Sequence, residues 1–217
     1  MGSRVARGSR VAGMALALAL AAGSGCARVP AAPEAARTQA PQAGPAVAWN
    51  GRGRFSVAAP GRALDAEFIV RADPGGDGRA PEVRLVLLAD AGVLLADVSL
   101  TAAGATVHRA VDDLKDRGQD LARLLDPWLP AASGAERRWR DGRLIERAGR
   151  RRRWFGGDPL LLRRVDQDGW PLTVSDYRPA GGALIAREIA ADGPWTVAMR
   201  LRLVNVRITE ATTPSPP

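Results

Sequence analysis

The chain has 217 residues, with 31 Lys and Arg against 23 Asp and Glu, one histidine (His108) and one cysteine (Cys26). A single cysteine excludes an intrachain disulfide, and a single histidine excludes a histidine pair or a histidine-based metal cluster. The charge of +8 rests on arginine, Lys115 being the sole lysine, and becomes 28 − 23 = +5 if Arg4, Arg7 and Arg10 are removed with an N-terminal signal.

Those three arginines precede an apolar Ala/Leu run over 11–23 that is too short to span a bilayer. Gly23, Ser24 and Gly25 then lead into Cys26. Small side chains suit a narrow peptidase cleft, and the thiol is where a diacylglycerol is attached. The stretch resembles the lipobox of bacterial lipoproteins, with Gly23 where leucine is usual. The expected organisation is a signal peptide over 1–25, a lipidated flexible tether over 26–48, one domain over 49–209 and a disordered tail over 210–217. The expected membrane partner is lipid, held through acylated Cys26.

The domain shows mainly β patterning. Residues 52–57 alternate weakly, and 63–71 place Leu64, Ala66, Phe68 and Val70 on one face. The run Asp-Pro-Gly-Gly-Asp-Gly over 73–78 is a turn. Strands over 83–88 and 93–100 flank Asp90-Ala91-Gly92, and a short strand follows over 105–110. Residues 112–125 break the pattern: Leu114, Leu121, Leu124 and Leu125 fall at helical spacings behind Asp112, Asp113 and Asp116, and Pro127 and Pro130 bound the segment. One Leu-rich helix is expected there, with Gly118 weakening it and Trp128 as a candidate movable lid. Asp141-Gly142 and Asp168-Gly169 mark hairpins. Further strands are predicted over 137–146, 150–155, 160–165, 170–177, 183–190 and 195–208. Short strands at intervals of about ten residues predict an antiparallel sheet or barrel with a helix on one face.

The basic run Arg150 to Arg153, followed by Trp154 and Phe155, could attract nucleic acid, but an exported chain offers little occasion for that. Arg151, Arg152, Arg153, Trp154 and Phe155 are instead the candidate contacts with anionic lipid, against the plainer alternative of a solvated strand end. His108 is expected to be structural, and no nucleophile-elbow serine motif is present. Without a catalytic constellation the sequence predicts a binding protein rather than an enzyme, with no cofactor, no metal and no nucleic-acid partner, acting as a monomer.

The order of these elements resembles the LolA/LolB family. The residues that carry the likeness are Trp49, Gly53 and Arg54 in the entry strand, then Asp141-Gly142-Arg143-Leu144, Gly157-Asp158-Pro159 and Gly169-Trp170-Pro171-Leu172. The resemblance implies an incomplete barrel: a strongly curved antiparallel sheet, apolar on its concave side and capped by helices. It also implies a lipid, an acylated protein or another hydrophobic ligand in that concavity, at the periplasmic face of the outer membrane. Ala27 after the cysteine agrees with that location, since retained inner-membrane lipoproteins commonly carry aspartate there. On this basis Phe68, Val70, Leu85, Leu87, Leu95, Leu114, Leu121, Leu124, Leu125 and Trp128 are the candidate ligand-lining residues, with space expected between sheet and helix. The alternative is an accessory lipoprotein that docks on an envelope complex. LolB carries an exposed leucine on a protruding hairpin; the matching position here is Ala91. Val93 and Leu94 are expected to lie in the sheet, one on each face, which would leave the tip without an apolar protrusion and the chain unable to replace LolB.

Overall fold

A computed structural model describes residues 29–44, 47–76, 78–130, 134–192 and 197–209, without the side chains of Arg62 and Ala91. The expected signal peptide, Cys26, the expected C-terminal tail and Trp195 lie outside the described residues, as does the side chain at the hairpin tip, Ala91.

Two short helices interrupt the twelve strands, which are β1 (Trp49–Ala59), β2 (Arg62–Asp73), β3 (Glu82–Leu88), β4 (Leu94–Thr101) and β5 (Gly104–Ala110), then β6 (Glu136–Arg140), β7 (Arg143–Ala148), β8 (Arg151–Gly156), β9 (Leu161–Gln167), β10 (Trp170–Ala180), β11 (Ala183–Asp192) and β12 (Ala198–Ile208). They form one antiparallel sheet in the order β5-β4-β3-β2-β1-β12-β11-β10-β9-β8-β7-β6, with β5 and β6 at opposite edges. The fold is therefore mainly β and unclosed, as expected.

The sheet is wrapped, not flat. Twelve strands laid side by side would extend for about 50 Å at the usual spacing. Yet a single core cluster contains Leu85 and Val98 from one half and Phe155 and Val165 from the other. Trp128 touches both halves: its ring stands 5.5 Å from Trp49 and 6.4 Å from Phe68, while its Nε1 donates to the Ala186 carbonyl at 3.1 Å. Period-2 alternation explains the one-sided burial. In β1, Trp49 and Phe55 are buried while Arg52 and Arg54 are exposed.

The hairpins follow their turn chemistry. Asp141 and Gly142 have φ of 51° and 69°, and Asp168 and Gly169 have 54° and 80°. Two consecutive positive φ values match the right-handed twist of the flanking strands, and Asp-Gly tolerates them best.

The expected single helix is divided into α1 (Asp112–Lys115) and α2 (Gly118–Arg123), followed by a 3-10 turn over Asp126–Trp128. Gly118 sits at the break because α2 presses on β5: a Cβ there would lie 2.5 Å from the Val107 side chain.

The expected tether departs furthest from expectation. Residues 29–44 pack on the sheet instead of extending from it. A 3-10 turn over Glu34–Thr38 buries Ala36 completely. Gln42 pairs in parallel with Leu161, its N–H donating to the Leu160 carbonyl and its carbonyl accepting from the Leu162 N–H, each at 3.0 Å. The Ala32 N–H donates to the Gly142 carbonyl and the Gly44 N–H to the Leu129 carbonyl. Backbone hydrogen bonds and small side chains hold this arm, so no hydrophobic periodicity announces it.

Candidate functional site

The inner face of the sheet is covered by two pieces of chain. Residues 112–130 lie over β4, β5, β9 and β11. The arm over 29–44 lies against β7 to β9 and meets the end of the first piece at Leu129.

All ten residues expected to line a ligand site converge on one cluster with the apolar inner face. Phe68, Val70, Leu85, Leu87, Leu121, Leu124, Leu125 and Trp128 are buried in it, and Leu95 and Leu114 pack on its margin half-buried. The space expected between helix and sheet is taken by protein: Trp128, 1 % exposed, fills it with its ring edge on Trp49. The Trp49 Nε1 is buried without a hydrogen-bond partner among the described residues.

The cover is fastened by charge. Asp126, at the start of the 3-10 turn, accepts from Arg151 Nη1 at 2.8 Å and from Arg153 Nε at 2.9 Å. Arg153 also donates to the backbone carbonyls of Asp126 and Pro130. Its side chain is 1 % exposed and that of Asp126 is 2 % exposed. Glu146 completes the group, 4.0 Å from Arg153 and paired with Arg137 at 3.2 Å. Carbonyl and carboxylate oxygens thus meet most of the Arg153 donors, which a buried guanidinium requires.

The same geometry corrects the proposed membrane contacts. Arg153 and Phe155 are wholly buried and Arg151 is half-buried on Asp126. Trp154 is half-buried beneath the Arg164 guanidinium, 5.4 Å from its ring centre. Only Arg152 of the five is exposed. Successive strand residues point to opposite faces, so a linear basic run is not a basic patch.

At the β5 edge an open groove of about 470 Å³ is lined by Leu94, Leu95, Val107, His108, Ala110 and Val111, among others. The β3–β4 hairpin beside it overturns the expectation for Val93. The Ala89 N–H donates to the Val93 carbonyl and closes the loop before β4 begins. Val93 therefore stays in the connection, 59 % exposed, while Leu94 enters the ladder opposite Leu88. His108 is exposed, its Nε2 3.1 Å from the Ser99 hydroxyl, which supports a structural role on β5. Among the described residues no group of three or more His, Cys, Asp or Glu is placed to hold a metal ion.

Asp97 on β4 is also held by charge. Hydrogen bonds of 2.8 and 2.6 Å from Arg84 keep its carboxyl below the usual carboxylate range despite partial burial.

Neither a protein-family model nor the sequence of a curated protein matches the chain. Solved structures do resemble it in shape. A DUF1329 family protein from Desulfovibrio piger superposes with a TM-score of 0.53 at 14 % identity, over 76 % of this chain and 86 % of that one. A LolA superfamily protein from Nitrosomonas europaea gives 0.53 at 8 % identity, over 77 % and 88 %. A domain from Vibrio parahaemolyticus, described as a putative outer membrane lipoprotein-sorting protein, gives 0.51 at 8 % identity, over 77 % and 87 %. With the wrapped sheet, its two free edges and the short helical segments on its inner face, the chain has the LolA/LolB-like fold.

Proposed function

We propose that this chain is a periplasmic lipoprotein, anchored to the outer membrane through acylated Cys26, that takes a lipid, an acylated protein or another hydrophobic molecule onto the inner face of its sheet. The observation that carries this reading is the separability of the cover. The apolar face belongs to a sheet whose strands are already paired with one another, whereas residues 112–130 cross it as short helical turns fastened through Asp126. Lifting that segment exposes Phe68, Val70, Leu85 and Leu87 without breaking a strand pair. The half-buried Leu94 and Leu95 at the rim groove give an apolar chain a place to begin. The likeness in fold to a domain described as an outer membrane lipoprotein-sorting protein agrees with this class of ligand. Val93, exposed beside that groove, supports contact with a bilayer or an acyl chain at the hairpin.

A second reading, an accessory lipoprotein that docks by its surface and carries nothing, is favoured by the packed interior around Trp128. Protein with Cys26→Ser, purified from the cell envelope including the periplasm and extracted for lipid mass spectrometry, separates the two. A stoichiometric co-purifying lipid supports the carrier; an empty extract, together with no uptake of a fluorescent fatty acid, supports docking.

A further inference from the structure

Four arginines gather where the sheet splits. Pairing between β11 and β12 runs from Asp192↔Ala198 to Glu188↔Arg202 and ends there. Two irregularities lie beside the end of the ladder. In β10, Asp176 has φ 49° and falls between the pairs Ser175↔Glu188 and Tyr177↔Ala186. In β12, Val204 falls outside the register where Gly53 pairs with Leu203 and Arg52 with Asn205. Val204 is an extra residue of the bulge kind, which turns side chains out of the regular alternation, whereas Asp176 keeps the β10–β11 register and stands opposite Arg187. A groove of about 480 Å³ opens there, lined by Arg54, Arg178, Arg187, Arg202, Asp176, Leu203 and Val204.

Its lining carries four arginines against one carboxylate, Asp176. Arg54 and Arg202 stand directly opposite each other on β1 and β12, a like-charge cross-strand pair, with Glu67 opposite Arg54 on β2 and Glu188 opposite Arg202 on β11. Asp176 is engaged by Arg178 at 3.0 Å, and the neighbouring Glu188 by Arg200 at 3.3 Å. The described ion pairs leave Arg54, Arg187 and Arg202 without a carboxylate. Arg187 is half-buried; one terminal nitrogen donates to the Val204 carbonyl at 3.4 Å, and its Nε is buried without a partner. Burial first, and Arg178 second, draw its guanidinium below the usual arginine value, against the opposing attraction of Asp176. A partly desolvated, incompletely bonded cation beside two like charges is a poor arrangement for the empty protein and a good one for an anion.

We propose that this groove binds a phosphate-bearing anion, held by Arg54, Arg187 and Arg202. Guanidinium forks match phosphate oxygens in pairs, and three of them match a group with several oxygens better than a single carboxylate. The same chemistry is offered by a phospholipid headgroup and by a free phosphate compound. The proposal does not depend on the inner face holding lipid.

The test uses the mature chain with Cys26→Ser at fixed ionic strength. Calorimetric titration with inorganic pyrophosphate is expected to show one saturable site, and Arg202→Gln and Arg187→Gln each to weaken it by about tenfold or more. Arg79→Gln, the same charge change in a distant exposed turn, is expected to leave it intact. Arg54→Gln adds an independent sign: it abolishes the rise in Tm that pyrophosphate gives the parent. Flotation with phosphatidylglycerol vesicles against phosphatidylcholine vesicles then assigns the source. Binding that the same variants lose marks a headgroup site; pyrophosphate binding without vesicle binding marks a free-anion site. No saturable binding, or equal loss in Arg79→Gln, overturns the proposal.

Discussion

Replacing Asp126 by asparagine keeps the shape of the side chain and removes the charge that two arginines share. The carboxylate is nearly inaccessible and accepts at 2.8 and 2.9 Å, so its loss leaves Arg153 buried with weaker compensation. Breaking a buried pair from one side costs about 3–5 kcal/mol. The asparagine oxygen can still accept one of the two bonds, and Glu146 remains 4.0 Å from Arg153, which places the expected loss near about 3 kcal/mol. If the cover opens independently of the sheet, that energy appears as an increase of about a hundredfold in its open population. Amide hydrogen exchange reads this directly. The amides of Leu121, Leu124, Leu125 and Trp128, each bonded within the cover, should exchange about a hundredfold faster. The amides of the β1–β2 ladder should keep their protection, and uptake of a fluorescent fatty acid should rise. An equal gain in exchange through β1, β2 and the cover, without added uptake, would show one cooperative unit and refute the separable cover.

Cys26→Ser should prevent incorporation of labelled palmitate and leave the chain unprocessed or soluble in the periplasm; continued labelling in that variant would end the anchor proposal. Gly118→Ala should cost about 2 kcal/mol in urea unfolding, because a methyl group 2.5 Å from Val107 forces α2 off β5. Val93→Asp should weaken binding to phospholipid vesicles by about tenfold, the loss of roughly 1.5 kcal/mol of valine insertion, with Tm unchanged. The Asp97 carboxyl, held low by Arg84, contributes stability above its unfolded value of about 3.9 and loses it as pH falls through the lower folded value. Asp97→Asn should therefore cost about 1 kcal/mol at pH 7, reduced because Arg84 is half exposed, and flatten the acid limb of a Tm–pH curve.

What was legible in the sequence was local. Asp141-Gly142 and Asp168-Gly169 declare their turns through backbone conformation, and Phe68 and Val70 declare their face through alternation, so the sheet followed from residues a few positions apart. The departures come from partners far along the chain. Arg153 looks like solvated charge until Asp126, 27 residues earlier, folds against it. The break at Gly118 depends on Val107 in another element. The packed arm has only Val29, Ala32, Ala36 and Ala43 among its described residues to bury, a signal too small to set it apart from a linker. The arginine groove was invisible for a related reason: Arg54 and Arg202 are 148 residues apart by their numbers and adjacent only through the β1–β12 pairing.

The strand order has a mechanical consequence. β5 and β6 are consecutive in the chain but stand at opposite edges of the sheet, so the segment joining them is a handle attached to both rims. Such a handle cannot swing away from one hinge. It can rise only as an arch, or as the rims move relative to each other. Any load on Trp128 is passed to two edge strands, each paired on one side only. Release of the handle therefore loads both rims at once while the central strands stay paired, and stapling either rim should hold the handle down.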